Sequence, residues 1–381
     1  MMSKRKILLI TERRADYSRF KTILKLINNS KYLDYVLVVT GTHLLKNHGL
    51  TIDEIKKDKF RIDYIIRSFS STKVDDGESM VVAIGNVLKK ICLIIKKSKP
   101  HIILTGFDIG ANFALTVAGA HLNIPVVHIQ GGEVTGSIDE SLRHSMSKFS
   151  NYHLVANLDA KKRLIKMGEQ KKNIFIVGCP SLDALFQEPI LTDEEIKKRF
   201  RIDSKKVFFI VIQHPVTTEH KLSKNQILET IQAIKNTKAQ ALFILPNNDS
   251  GHLEIINEIK KNNLNWSKSL TLSEYRSLLM KASILIGNSS SGIHEAASFK
   301  LPVINIGSRQ NGRLQPRNVV NVGYCRKDIL NKIKFCLNNR KYINSLKKLQ
   351  NPYGDGNSAH KIIKVLKKIN VLDTTQKRNS Y

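Results

Sequence analysis

The chain has 381 residues, 41% hydrophobic and 25% charged, with 20 Gly and 9 Pro, which excludes a mainly disordered chain and predicts two globular domains of ordinary size. No apolar run approaches the roughly 20 residues of a membrane-spanning helix, and the first ten residues hold too short an apolar stretch for a secretory leader, so a soluble, cytoplasmic protein is expected. The 62 Lys and Arg against 32 Asp and Glu give a net charge of +30, but the excess is spread in twos and threes over helix faces, without an aromatic RNA-binding box or a helix-turn-helix, so no nucleic acid or membrane partner is expected.

β-Branched runs alternate with amphipathic stretches throughout, the mark of βα units stacked on parallel sheets. Strands are predicted over 6–10, 35–40, 62–66, 101–105, 126–129, 153–156 and 174–177. Helices at 3.6 periodicity are predicted over 17–27, 77–97, 111–122, 140–148 and 159–167. Together they make one Rossmann-like domain, 1–180. The rhythm breaks between Pro180 and Pro189, and Thr192 with Glu195 reads as a capping box opening a new helix. A second series follows in 181–350: strands over 207–212, 241–245, 269–271, 284–286, 303–306 and 319–322, with helices over 225–234, 252–261, 273–281 and 292–299. Residues 351–381 are expected to form a C-terminal helix and tail returning toward the first domain. The fold class is therefore α/β, two Rossmann-like domains facing a cleft, with chemistry in the loops after the strands.

Four such loops in the first domain carry candidate groups. Thr11-Glu-Arg-Arg-Ala-Asp-Tyr17 puts Arg14 and Asp16 at a helix start suited to phosphate, or else to a solvated face; it is no dinucleotide fingerprint. His43 follows the second strand, as a cleft residue or as a structural histidine. Asp108 follows the fourth as a base or as an N-cap. The loop after the fifth strand gathers Gln130, Glu133, Asp139, Arg143 and His144 behind a Gly-Gly turn, with Asp139 and Arg143 at i and i+4, a convergence that favours function over a plain salt-bridged helix.

In the second domain, His214 ends one strand and Asn247 another. Gly287-Asn-Ser-Ser-Ser-Gly-Ile-His-Glu295 supplies backbone and hydroxyl donors, Ser289 and Ser290 among them, for a diphosphate, with Glu295 placed to accept ribose hydroxyls. The loop lacks the lysine of a nucleotide-triphosphate loop. Arg309 and Arg313 follow the next strand as further phosphate contacts. Cys92, Cys179, Cys325 and Cys336 lie far apart with no histidine at zinc spacing, so neither a disulfide framework nor a metal site is expected.

Taken in order, RADY (14–17), TGTH (40–43), HIQGGEVTGSIDESLRH (128–144), QHPVTTE (213–219), LPNND (245–249), GNSSSGIHE (287–295) and GSRQNGR (307–313) strongly resemble the hydrolysing UDP-N-acetylglucosamine 2-epimerases of sialic and legionaminic acid biosynthesis. The resemblance implies a GT-B architecture, a homo-oligomer such as a dimer or tetramer, and no cofactor or obligatory metal. It implies conversion of UDP-N-acetylglucosamine to N-acetylmannosamine and UDP, by anti elimination to a 2-acetamidoglycal and addition of water. The alternatives are the same reaction on UDP- or GDP-N,N'-diacetylbacillosamine, or a GT-B glycosyltransferase. By position it assigns catalytic roles to Asp108, Glu133, Asp139 and His214, and nucleotide contacts to Arg14, Ser289, Ser290 and Glu295. Two departures stand out: Ile109 where relatives have Arg after the Asp, and Gln130 where some have Glu.

Overall fold

The computed structural model describes residues 4–69, 77–135, 138–246, 251–371 and 377–380. The chain divides into two compact units, residues 1–184 with 353–381, and residues 185–352. The first unit opens with β1 (Arg5–Thr11), α1 (Arg14–Asn28), β2 (Leu33–Thr40), α2 (Ile52–Lys57), β3 (Tyr64–Ile66), α3 (Gly77–Ser98) and β4 (Ile102–Gly106). It continues through α4 (Gly110–His121), β5 (Val126–Ile129), α5 (Ile138–Phe149), β6 (Tyr152–Val155), α6 (Leu158–Lys166), β7 (Ile174–Ile176) and α7 (Pro180–Gln187). Its seven strands are parallel, in the order β3-β2-β1-β4-β5-β6-β7.

β1 is an unbroken apolar run because helices cover both its faces. Ile7 and Leu9 join one core cluster, to which α1 adds Tyr17, Phe20, Ile23, Leu24 and Ile27; Leu8 and Ile10 join the other, to which α3 adds Val87, Ile91 and Ile95. The second unit runs α8 (Asp193–Phe200), β8 (Phe208–Ile212), α9 (Ser223–Lys235), β9 (Gln240–Ile244), α10 (His252–Lys261), β10 (Trp266–Ser267) and α11 (Leu272–Lys281). β11 (Ile284–Gly287), α12 (Ser291–His294), β12 (Val303–Ile306), β13 (Val319–Val322), α13 (Arg326–Asn338) and α14 (Arg340–Lys347) complete it. Its sheet is also parallel, in the order β10-β9-β8-β11-β12-β13. Strand order reverses between β1 and β4 in one unit and between β8 and β11 in the other, the switch points where α/β sheets receive ligands.

Three expectations are corrected. The stretch after Pro180 is helical: proline suits a first helical position, and Leu182, Ala184 and Leu185 are buried. The first unit accordingly runs to residue 184 rather than 180. The strand expected over 269–271 lies earlier, at Trp266–Ser267, because Thr271 instead caps α11 and Glu274 closes its capping box. α15 (Ser358–Lys368) belongs to the first unit, where Ala359, Ile362 and Leu366 enter the cluster of Tyr17 and Phe20. Asp183 accepts the Ser358 and Ala359 amides at 3.0 and 2.6 Å, so α15 is capped by a residue far away in sequence.

A polar cluster lies beneath α5. His128 and His153 pair across β5 and β6, both fully buried; His128 Nδ1 meets Ser147 Oγ at 3.1 Å and His153 Nε2 meets Glu169 at 2.9 Å. Burial, helped by His153, pushes the His128 pKa down to about 3. Burial alone would raise the Glu169 carboxyl, but His153 and Lys377 hold it down at about 2. Both groups bind fewer protons folded than unfolded, so stability falls on acidification. The His128 contribution is complete above pH ~6.5 and lost below it, about 2 kcal/mol by pH 5; the Glu169 contribution is lost only as pH falls below ~4.5 toward 2. Thermal unfolding at pH 7 and pH 5 tests this: His128→Asn is expected to shrink the loss of midpoint between the two, and an unchanged difference would refute the assignment.

Candidate active site

Two loops of the first unit meet beyond the β1/β4 switch point. Asp16, the third residue of α1, is fully buried and accepts from Thr11 Oγ1 (3.0 Å) and from the Glu12, Arg13 and Tyr17 amides (2.9 Å each). His43 is equally buried, with Nε2 3.0 Å from Thr11 Oγ1 and Nδ1 2.7 Å from Thr51 Oγ1; burial pushes its pKa down against the pull of Asp16. Of the two readings the sequence left open for His43, these bonds fit the structural one, and the polar atoms of both residues hold the loop itself. Arg14 is exposed, as is Arg13 beside it, and lies 3.4 Å from Glu54.

Beyond β4, Asp108 forms an ion pair with Arg143, which is 4% exposed at its residue. The same guanidinium donates to the Glu133 carbonyl at 2.9 Å. Gln130 donates to the Glu133 carboxylate at 3.2 Å and to Cys179 Sγ at 3.3 Å. Gln130 (φ 59°) and Phe107 (φ 71°) both take left-handed backbone at adjoining strand ends, a conformation costing on the order of 1 kcal/mol or more for a non-glycine and concentrated where loops are shaped for ligand. Arg143 thus draws Asp108 and the Glu133 segment together. Ile109 turns into the core at 4% exposure, so the Ile departure leaves Arg143 as the guanidinium at Asp108. Asp139 is half-buried in the first turn of α5, four residues before Arg143. His144 faces Glu140 at 3.7 Å; burial lowers its pKa and Glu140 opposes this.

In the second unit the β8 and β11 loops lock together. The His214 amide donates to Asn288 Oδ1 at 2.7 Å, and Asn288 Nδ2 donates back to the His214 carbonyl at 2.8 Å. Burial and the nearby Arg309 push His214 down to about 3, so it is a neutral imidazole at pH 7. Ser289 and Ser290 are half-buried ahead of the short α12, with the Ser291 amide 3.3 Å from Ser289 Oγ. Tyr275 OH bonds Ser291 Oγ, and burial with the charge of Glu295 pushes its pKa far up. Arg309 and Gln310 both donate to the Asn288 carbonyl, at 3.3 and 2.8 Å. Arg313 is half-buried on the same loop, and Asn247 lies outside the described residues. Asn288, Gln310 and Tyr275 were missed by the sequence reading; the Asn of GNSSSG was the available signal. Among the described residues no group of three His, Cys, Asp or Glu is placed to hold a metal, no helix is long and apolar enough to cross a membrane, and none of the four cysteines is in a disulfide.

A family profile described as UDP-N-acetylglucosamine 2-epimerase matches residues 25–367. The Legionella pneumophila UDP-N,N'-diacetylbacillosamine 2-epimerase (hydrolyzing) is 39% identical, over 96% of each chain. A UDP-N-acetylglucosamine 2-epimerase from Neisseria meningitidis serogroup B is 33% identical over 87% of each. The crystal structure of UDP-GlcNAc 2-epimerase from Neisseria meningitidis bound to UDP-GlcNAc superposes with a TM-score of 0.79 at 18% identity, covering 96% of this chain and all of that one, which shows a shared fold. Joined to the two parallel sheets and the loops at their switch points, the match over most of the chain means that it belongs to the UDP-N-acetylglucosamine 2-epimerase family.

Proposed function

We propose that this hydrolysing 2-epimerase acts on a UDP-activated 2-acetamido sugar, with UDP-N,N'-diacetylbacillosamine first among its substrates and UDP-N-acetylglucosamine second. The observation that carries the site is the Asp108–Arg143–Glu133 cluster where the loops after β4 and β5 meet. The 39% identity to the Legionella enzyme supports the diacetamido sugar, and the 33% identity to the Neisseria enzyme supports the other.

Removing the weakly acidic C2 proton needs a carboxylate held in place, and Asp108, Glu133 and Asp139 supply carboxylates from two neighbouring loops. Gln130 exchanges no proton at neutral pH; its amide orients Glu133. Expulsion of UDP needs its developing charge met by fixed donors. Arg14, Arg309 and Arg313 bring charge, Ser289 and Ser290 bring hydroxyls and amides, and neutral His214 offers a hydrogen bond. Glu295 accepts from the ribose. The chain works as a homo-oligomer in the cytoplasm on this reading; the exposed apolar side chains Val81 and Leu93 of α3 are consistent with a subunit contact.

Mass spectrometry of products from a panel of nucleotide-sugars tests the proposal. In deuterium oxide the released sugar is expected to carry one deuterium at C2, with its anomeric oxygen derived from water. A product that keeps its C2 hydrogen excludes elimination, and little free sugar without an added acceptor would favour a glycosyltransferase.

A further inference from the structure

Glu12 is a carboxylate that no reading of the site has used. It follows β1 directly, at the carboxyl end of the strand that pairs with β4, and its amide, carbonyl and side chain each bond the neighbouring loops. Its amide donates to Asp16 at 2.9 Å, and its carbonyl accepts from the His43 amide (3.3 Å) and Thr42 Oγ1 (3.2 Å). Its side chain crosses the switch point, and one carboxyl oxygen, Oε2, accepts the Ala111 amide at 2.8 Å, a contact spanning 99 residues. Gly41 makes room for it: a Cβ there would lie 2.2 Å from Glu12 Cγ.

Ala111 is the second residue of α4, so its amide is one of the four that a helix leaves without an internal partner. The residue that should cap α4 is Ile109, whose side chain accepts no hydrogen bond and is buried in the core. The cap therefore comes from elsewhere in the chain, and the segment it fixes begins immediately after Asp108. Asn112 ties the same turn to β1 and β4, with Oδ1 on the Gly106 amide at 3.1 Å and Nδ2 on the Ile10 carbonyl at 3.3 Å. Burial raises the Glu12 pKa, with the Ala111 bond opposing; in either protonation state a carboxyl oxygen accepts the amide.

Resting on the epimerase reading, we propose that Glu12 is a positioning residue for the reaction: by capping α4 from the β1 loop it fixes the turn that presents Asp108 to Arg143. The function lies in the acceptor oxygen, so glutamine at this position keeps it while alanine removes it.

Three measurements on the full chain test this. In Glu12→Ala, hydrogen exchange over residues 107–113 is expected to quicken by roughly 10-fold, the size of a lost helix cap, and kcat to fall by roughly 10–100-fold. The dissociation constant for UDP is expected to change far less than kcat, because every proposed nucleotide contact except Arg14 belongs to the other unit. Glu12→Gln is expected to restore both exchange protection and kcat to near wild type. Unchanged exchange in Glu12→Ala, wild-type kcat in that variant, or a Glu12→Gln enzyme as slow as Glu12→Ala would each overturn the proposal, the last by showing that charge or a proton matters rather than the acceptor. Absence of turnover in the wild type across the nucleotide-sugar panel would instead refute the epimerase reading, and the exchange comparison would still decide whether Glu12 holds the Asp108 turn.

Discussion

Asp108→Asn and Glu133→Gln are expected to lower kcat by 10²–10⁴-fold each, about 3–5 kcal/mol of transition-state stabilisation, while leaving UDP affinity within a factor of a few. Each amide keeps the shape of its carboxyl but cannot take or return a proton at neutral pH. Asp108→Asn also leaves Arg143 facing a neutral oxygen in place of its ion-pair partner, so the loop stays hydrogen-bonded while its charge changes. Asp139→Asn belongs in the same series, since that carboxyl opens α5 one turn before Arg143. Steady-state rates with UDP binding measured in parallel separate chemistry from affinity. If all three variants turn over at near wild-type rates, the proton transfers take place elsewhere.

Gly287→Ala is expected to cost the second unit more than about 3 kcal/mol and to abolish nucleotide binding. Gly287 has φ 127°, a region that side chains rarely adopt, and a Cβ there would lie 2.0 Å from the Ile212 carbonyl oxygen. That oxygen belongs to β8 and cannot move aside without breaking the sheet at its switch point. The displaced backbone would carry Asn288 off the His214 peptide, on which both strand ends depend. Gly323→Ala is the control: a Cβ at Gly323 meets nothing within 4 Å, and a change within about 0.5 kcal/mol is expected. Urea unfolding of the two variants decides the matter; equal stability would show that the β11 loop is not constrained as described.

Local patterns made much of the fold legible because they are local in origin. A buried parallel strand such as Ile7 to Ile10 announces itself as an apolar run, and α3 by Val87, Ile91 and Ile95 one turn apart. The Thr192 capping box is written within four residues and forms as expected. Where two local signals competed, the stronger hydrogen-bonding one won: Thr271 became a helix cap rather than a strand residue.

The candidate site was legible as a set of loops, and less so as a set of contacts. Glycines and clustered polar groups after the strands mark where backbone must turn and chemistry can sit, and the order of those motifs was enough to place the chain in its family. Which side chains meet depends on strand order, and strand order is settled by packing between segments far apart. Only the β1/β4 adjacency brings Glu12 to Ala111, and only the path of α5 brings Arg143 to Asp108 across 35 residues. The β1/β2 pairing in turn brings His43 to Thr11, whose hydroxyl also bonds Asp16. The sequence alone determined the α/β class, the family and the position of the candidate loops at the strand ends, since periodicity and turn residues act over a few neighbours. The tertiary structure decided which carboxylates are held and by what, since hydrogen bonds between distant loops exist only once the sheets are assembled.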